Sequence, residues 1–202
     1  MDRRQATLLL ASTPLIGSIA WAQAFPARTV KIINPFPPGS PVDVVARLVA
    51  QKLGEAWNQP VIVESKPGAG GTMGAEQVAR GPADGYTMLV TSASTHVIAP
   101  VLRKTLPYDA LKDFTPIALV AHGPTVVVVH PSVPATTLGE FVQYAKANPG
   151  KVAYASSGSG TILHLTGELF AARTGTDLLH VPYKGAVPAS TDLLDSEGDA
   201  PR

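Results

Sequence analysis

Three stretches of small and hydroxylated residues carry most of the chemistry open to this sequence. Ser40-Pro41-Val42-Asp43, residues 67–71 and Ser156-Ser157-Gly158-Ser159-Gly160-Thr161 each follow an apolar run and open a helical pattern. A helix start presents N–H groups that lack intrahelical acceptors and carries partial positive charge, so an anion binds there without Lys or Arg. Gly70 and the glycines of the third stretch let a ligand approach the backbone closely. Ser40 and Asp43 read equally well as a helix N-cap and the acid of its first turn, with Pro41 at the first helical position. The second stretch reads equally as a tight strand-to-helix turn. The third supplies more hydroxyls than a turn needs. His164 follows it by one helical turn, placed either to reach a ligand or to pack beneath it.

Other chemistries find no support. G-x-G-x-x-G fails at Met73 when counted from Gly68 and at Leu163 when counted from Gly158, and the Gly150-Lys151 pair runs on into Val152 rather than Ser or Thr. No G-x-S-x-G elbow surrounds the third stretch. The five histidines (His96, His122, His130, His164, His180) fall at no metal-ligand spacing, and the chain has no Cys. Neither a metal nor a cofactor is expected, and no catalytic residue is assigned.

The elements that position these loops alternate. Residues 30–33 read as a strand, and Val42, Val45, Ala46, Val49 and Leu53 fall on one helical face that Gly54 is expected to end. Residues 61–63 and 86–90 read as further strands, with a short helix to about Arg80 between them. A second set begins with strands at 117–120 and 126–129. It continues with a helix marked by Leu138, Phe141, Val142 and Ala145, a strand at 152–155, a helix at 161–173, a strand at 178–181 and a helix at 187–194. Strand, loop, helix, strand is the grammar of βαβ units and a mostly parallel sheet, so the fold class is α/β. The seam lies at His122-Gly123-Pro124.

Composition narrows the setting. With 202 residues, 45% of them hydrophobic and 15% charged, the chain is long enough and apolar enough for a real core. A net charge of +1 supplies no basic field for nucleic acid. Arg3 and Arg4 precede an apolar stretch ending in Ala22-Gln23-Ala24, the pattern of an export leader cleaved after Ala24. The expected organisation is a leader at 1–24, a first α/β lobe at 25–122 and a second at 123–202. After leader removal no membrane insertion is expected. The polar end from Asp195 reads as a tail or as a truncation that leaves the second sheet short of a strand.

The ordered set of motifs resembles the Bug-type periplasmic solute-binding receptors of tripartite tricarboxylate transporters. The likeness rests on Pro35-Phe36-Pro37-Pro38-Gly39-Ser40-Pro41-Val42-Asp43, Lys66-Pro67-Gly68-Ala69-Gly70-Gly71 and Thr91-Ser92-Ala93-Ser94-Thr95-His96. It continues through Ala147-Asn148-Pro149-Gly150-Lys151, the Ser156–Thr161 stretch with His164-Leu165, and His180-Val181-Pro182-Tyr183-Lys184-Gly185. The resemblance implies a two-lobe periplasmic-binding-protein-like architecture closing on a small carboxylate, with the second lobe and the return to the first incomplete. It implies membrane transporter subunits as partners, a periplasmic location and a monomer. It carries ligand contacts onto Phe36, Gly39, Ser40 and Asp43, with Gly70, Ser92 and Ser94 adding to that lobe. From the other lobe it implicates Ser157, Gly158, Ser159, Gly160, Thr161 and His164. The family usually has Gly at position 40 and a hydroxyl residue at 42, where this chain has Ser40 and Val42.

Energetics favour a two-sided grip. Micromolar binding needs about −8 kcal/mol after association costs of roughly 4 kcal/mol or more, while a charge-assisted hydrogen bond supplies about 1.5–3 kcal/mol. Two competing readings remain: an exported α/β hydrolase using Ser157 or Ser159, and a signalling co-receptor or non-functional fragment.

Overall fold

A computed structural model describes residues 24–195; residues 1–23, where the export leader is expected, and the last seven residues lie outside them. The first sheet contains β1 (Val30–Asn34), β2 (Val61–Ser65) and β3 (Thr87–Leu89), all parallel in the order β2-β1-β3. β1 is central and buries Val30, Ile32, Ile33 and Asn34. Only Lys31 is exposed along it, as suits a central parallel strand covered over most of both faces. Helix α1 (Pro41–Trp57) lays Ala46 and Ala50 on Ile32, with Val49, Val61, Val63, Met88 and Val90 around them. The small alanines bring the helix close to the strand.

The helix passes the stop expected at Gly54. Asn58 takes the left-handed C-terminal conformation instead, at φ 49°. One glycine near a helix end costs only about 1 kcal/mol. The added turn carries Trp57 to Phe25, 5.9 Å between ring centres.

After β2 a 3₁₀ turn (Ala69–Gly71) leads into α2 (Thr72–Ala79). Gly71 has φ 93°, and a Cβ there would collide with Thr95 Oγ1. The turn therefore needs glycine for its backbone and for the close approach of the segment after β3. That segment is a π-helical turn (Ser94–Ile98) running into α3 (Ala99–Leu102). Tyr108 is buried over it, its hydroxyl donating to Thr95 O at 2.8 Å.

The second sheet pairs β4 (Val152–Ser156) in parallel with β5 (Leu178–Pro182) through α5 (Ile162–Thr174). Gly167 makes room for the Tyr154 ring against α5. Helix α4 (Leu138–Ala147) precedes this unit, opened by a reciprocal capping box between Thr137 and Glu140. Helix α6 (Ala186–Asp195) follows β5.

The strands expected at 117–120 and 126–129 do not form. Residues 117–128 are exposed irregular backbone with no ladder partner among the described residues. Ile117, Leu119 and Val126 are each at least 70% exposed. β-branched composition favours a pleated, half-buried surface; it does not create the neighbouring strand.

Candidate functional site

The first loop is organised from beneath by two buried polar side chains. Asn34, at the end of β1, donates through Nδ2 to Asp43 Oδ1 at 3.0 Å and accepts the Phe36 N–H at 3.1 Å. Asp43 Oδ2 accepts the Gly39 N–H and the Arg47 Nε–H, both at 2.9 Å. The Arg47 guanidinium beside Asp43 holds its carboxyl below the usual carboxylate range, against the opposing effect of burial. Ser40 Oγ accepts the Asp43 N–H at 3.3 Å as the N-cap of α1. Phe36 and Gly39 have thus spent their amides inside the protein, and α1 is capped by its own side chain.

The start of α5 differs. Its N-cap is Thr161, whose side chain makes no cap bond. Thr161 Oγ1 turns back and donates to Gly158 O at 2.7 Å, and accepts from Ser157 Oγ at 3.3 Å. The first helical amide, Ile162 N–H, donates to Ser94 Oγ at 3.0 Å across 68 residues of sequence. Leu163 and His164 N–H, the next two, have no acceptor among the described residues. Val42 N–H alone is left without an acceptor at the α1 start among the described residues, whereas the α5 start leaves two.

Beside the α5 start lies a cavity of about 190 Å³. It is lined by Phe36, Ser40 and Val42 from one side, Ser92 and Ser94 from the segment after β3, and Ser157, Ile162 and Leu163 from the other lobe. Ser92 Oγ is buried with no hydrogen-bond partner among the described residues. A buried unsatisfied hydroxyl costs about 1–3 kcal/mol, so a ligand acceptor is what this atom lacks. Ser92→Ala is expected to leave stability unchanged or raise it by up to about 1 kcal/mol. The same substitution weakens carboxylate binding roughly fivefold, through loss of one hydrogen bond. Denaturant titration and calorimetry on one preparation check both signs.

Of the residues expected to touch ligand, Phe36, Ser40, Ser92, Ser94 and Ser157 line this cavity. Gly70, Ser94, Ser159 and Gly160 line a second one of about 260 Å³. Gly39, Asp43, Gly158, Thr161 and His164 line neither. Within these loops Gly158 N–H donates to Ser156 Oγ at 3.2 Å, and Gly160 N–H donates to His164 Nδ1 at 3.1 Å.

Under the Ser/Gly loop sits a cluster whose members lie too far apart in sequence to suggest one another. His164 and His180 stack with ring centres 4.0 Å apart, and Tyr154 stacks on His180 at 5.0 Å. His180 Nε2 bonds Ser156 Oγ at 2.7 Å, while the Tyr154 hydroxyl donates to Glu168. Because His164 Nδ1 accepts from Gly160, its proton is on Nε2, facing Glu168 Oε1 at 3.8 Å. This serine–histidine pair makes a poor nucleophile. Ser156 is 1% exposed, its oxygen is engaged by Gly158, and among the described residues no carboxylate is hydrogen-bonded to His180.

Burial, and secondarily the neighbouring His164, lower the His180 pKa from its ordinary 6.5; Glu168 acts in the opposite sense. A folded value below the unfolded one means that the unfolded chain binds the extra proton first. The stability tied to neutral His180 is complete above pH 6.5 and is lost as pH falls through the depressed folded value. Melting temperature is expected to decline as pH drops below 6.5, and more shallowly in His180→Gln. An unchanged slope in the variant would assign the pH dependence elsewhere.

Among the described residues, no group of three or more His, Cys, Asp or Glu is placed to hold a metal, and no helix is long and apolar enough to cross a membrane.

Comparison with known proteins gives the family. Residues 45–200 match the family model described as tripartite tricarboxylate transporter family receptor. The protein BugT of Bordetella pertussis is 41% identical over 174 residues, covering 86% of this chain and 53% of BugT. A Rhodopseudomonas palustris protein solved with adipate superposes with TM-score 0.81 at 36% identity, over 84% of this chain and 56% of that one. The MatC protein of Rhodopseudomonas palustris, with bound malate, gives 0.76 at 35% identity, over 84% and 57%. The chain spans about half the length of the curated relatives it matches. Two parallel α/β units, an uncapped helix start facing a shared cavity and a family match over more than half its length lead to one assignment: the chain belongs to the tripartite tricarboxylate transporter receptor family.

Proposed function

We propose that this chain acts as a monomeric, exported, periplasmic receptor that captures a small carboxylate and presents it to the membrane subunits of a tripartite tricarboxylate-type transporter. The observation that carries the reading is the α5 start. Leu163 and His164 N–H lack acceptors; Leu163 and the orphaned Ser92 hydroxyl line a cavity shared by both lobes, and His164 is the next residue of the helix. A carboxylate supplies two charged acceptors to three waiting donors, and the helix dipole adds roughly 0.3–1 kcal/mol. The adipate and malate found with two relatives are of this class.

Binding and release, rather than turnover, is the chemistry. Phe36, Val42, Ile162 and Leu163 exclude water, which strengthens each hydrogen bond to the anion. Ligand contacting both lobes favours the closed arrangement over the open one.

Thermal melts of the full chain with a panel of di- and tricarboxylates test the proposal. At a hundred times Kd a ligand adds about 2.7 kcal/mol, an easily read upward shift. The ligand is expected back chemically unchanged. Stabilisation by no carboxylate would overturn the reading. Conversion of the ligand, abolished by Ser157→Ala or Ser159→Ala, would favour a hydrolase.

A further inference from the structure

We infer that Val42 is a specificity residue that selects the body of the ligand: the site takes a carboxylate with an alkyl-substituted skeleton and rejects the hydroxylated analogue of the same shape. The inference rests on the carboxylate reading above and extends it to the part of the ligand that the anion donors do not touch. The cavity of about 190 Å³ beside the α5 start has two kinds of wall. Ser40, Ser92, Ser94 and Ser157 are its only lining residues with polar side chains among the described residues, and no lining residue is charged. Phe36, Val42, Ile162 and Leu163 give the rest large apolar side chains. An apolar cavity of about 150 Å³ admits benzene, so a branched small acid has room here.

The polar wall offers donors. Ser40 Oγ accepts the Asp43 N–H and Ser94 Oγ accepts the Ile162 N–H, so each keeps its own proton to give. Ser157 Oγ is bonded to Thr161 Oγ1, and Ser92 Oγ is the unpartnered hydroxyl assigned to the carboxylate. An anion answers such a set, because it brings acceptors only. A hydroxyl on the ligand brings a donor of its own, and no lining side chain is a carboxylate, carboxamide or imidazole that would receive it. Val42, the second residue of α1 and partly buried, occupies the wall where such a partner would be needed. A hydroxyl set against it loses water and gains no bond, whereas a methyl group loses nothing there.

Calorimetry of the full chain with 2-methylsuccinate and malate, both as racemates, decides the matter. The two acids share one skeleton and both carboxylates, and differ by a methyl against a hydroxyl. Wild type is expected to bind 2-methylsuccinate at least tenfold more tightly than malate; an apolar pocket separates such isosteres by up to roughly a hundredfold. Val42→Thr, which keeps the branched shape and supplies a hydroxyl, is expected to shrink that preference at least fivefold, mainly by tightening malate. Val42→Ala, which removes the wall and supplies no partner, is expected to weaken 2-methylsuccinate and leave malate no tighter than in wild type. A melting curve for each variant verifies that it folds. Equal wild-type affinities, a preference for malate, or a preference unchanged in Val42→Thr would overturn the role of Val42 while leaving a carboxylate receptor intact. Binding of other carboxylates but of neither acid would do the same. Binding of no carboxylate at all would overturn the receptor reading as well.

Discussion

Asp43→Ala is expected to destabilise the protein by about 3 kcal/mol, measured by denaturant unfolding. The carboxylate is 3% exposed and gathers three donors: Asn34 Nδ2, Gly39 N–H and Arg47 Nε–H. Hydrogen bonds to a charged group contribute about 1.5–3 kcal/mol each. Arg47 is half-exposed and recovers hydration once released, so its share is discounted. Asn34 and the Gly39 amide are left wanting an acceptor beneath the first loop, and that deficit dominates. At about 2–4 °C per kcal/mol for a chain of this size, the melting temperature falls by roughly 6–12 °C. The contribution has a pH signature. Asp43 titrates below its ordinary 3.8 in the folded state, chiefly because Arg47 bonds it. Its stabilisation is present above the unfolded value and is lost as pH falls through the folded one, a dependence the alanine variant lacks. A loss under 1 kcal/mol would mean that the loop is held by something other than this carboxylate.

Thr161→Asp is expected to abolish carboxylate binding, lowering affinity by a hundredfold or more, with a melting curve recorded alongside to verify that the variant folds. Aspartate at an N-cap accepts from the second and third helical amides, which here are Leu163 and His164. The substitution would place the ligand's own functional group on the donors the ligand needs. Two carboxylates about 4 Å apart repel by about 4 kcal/mol at an effective dielectric of 20, more than a hundredfold requires. The cost to the fold is the Thr161 hydrogen bond to Gly158 O and the burial of a charge at a position 1% exposed, offset in part by the new cap. Thr161→Asn caps without charge and is expected to lose about tenfold, separating occupancy of the amides from repulsion. Wild-type affinity in the aspartate variant would place the anion elsewhere.

Local signals made much of this legible in the sequence. The β1–α1 and β4–α5 units are written in local periodicity, and Ser40-Pro41-Val42-Asp43 spells a helix N-terminus that the structure forms. The same local signal could not distinguish the two helix starts. Ser40 and Thr161 both place a hydroxyl at a helix start, yet only Ser40 caps its helix; the Thr161 side chain is turned back onto Ser157 and Gly158. Gly158, the acceptor, has a φ of 129°, which no spacing rule encodes.

Contacts across long sequence separations were equally out of reach. Ser94 meets Ile162 over 68 residues and Arg103 meets Ala69 over 34, and neither pair carries a motif. The unpaired run at 117–128 shows the converse: its composition suits a strand, but pairing is a property of two segments.

Amide correlation spectra of the isotopically labelled chain, titrated with adipate, test the central claim most directly. The Leu163 and His164 N–H signals are expected to move downfield with saturation, as each acquires a charged acceptor, while the Asp43 N–H, already bonded to Ser40, stays in place. Saturable binding that leaves Leu163 and His164 unmoved, with the largest changes at α1 or remote from both cavities, would contradict the account.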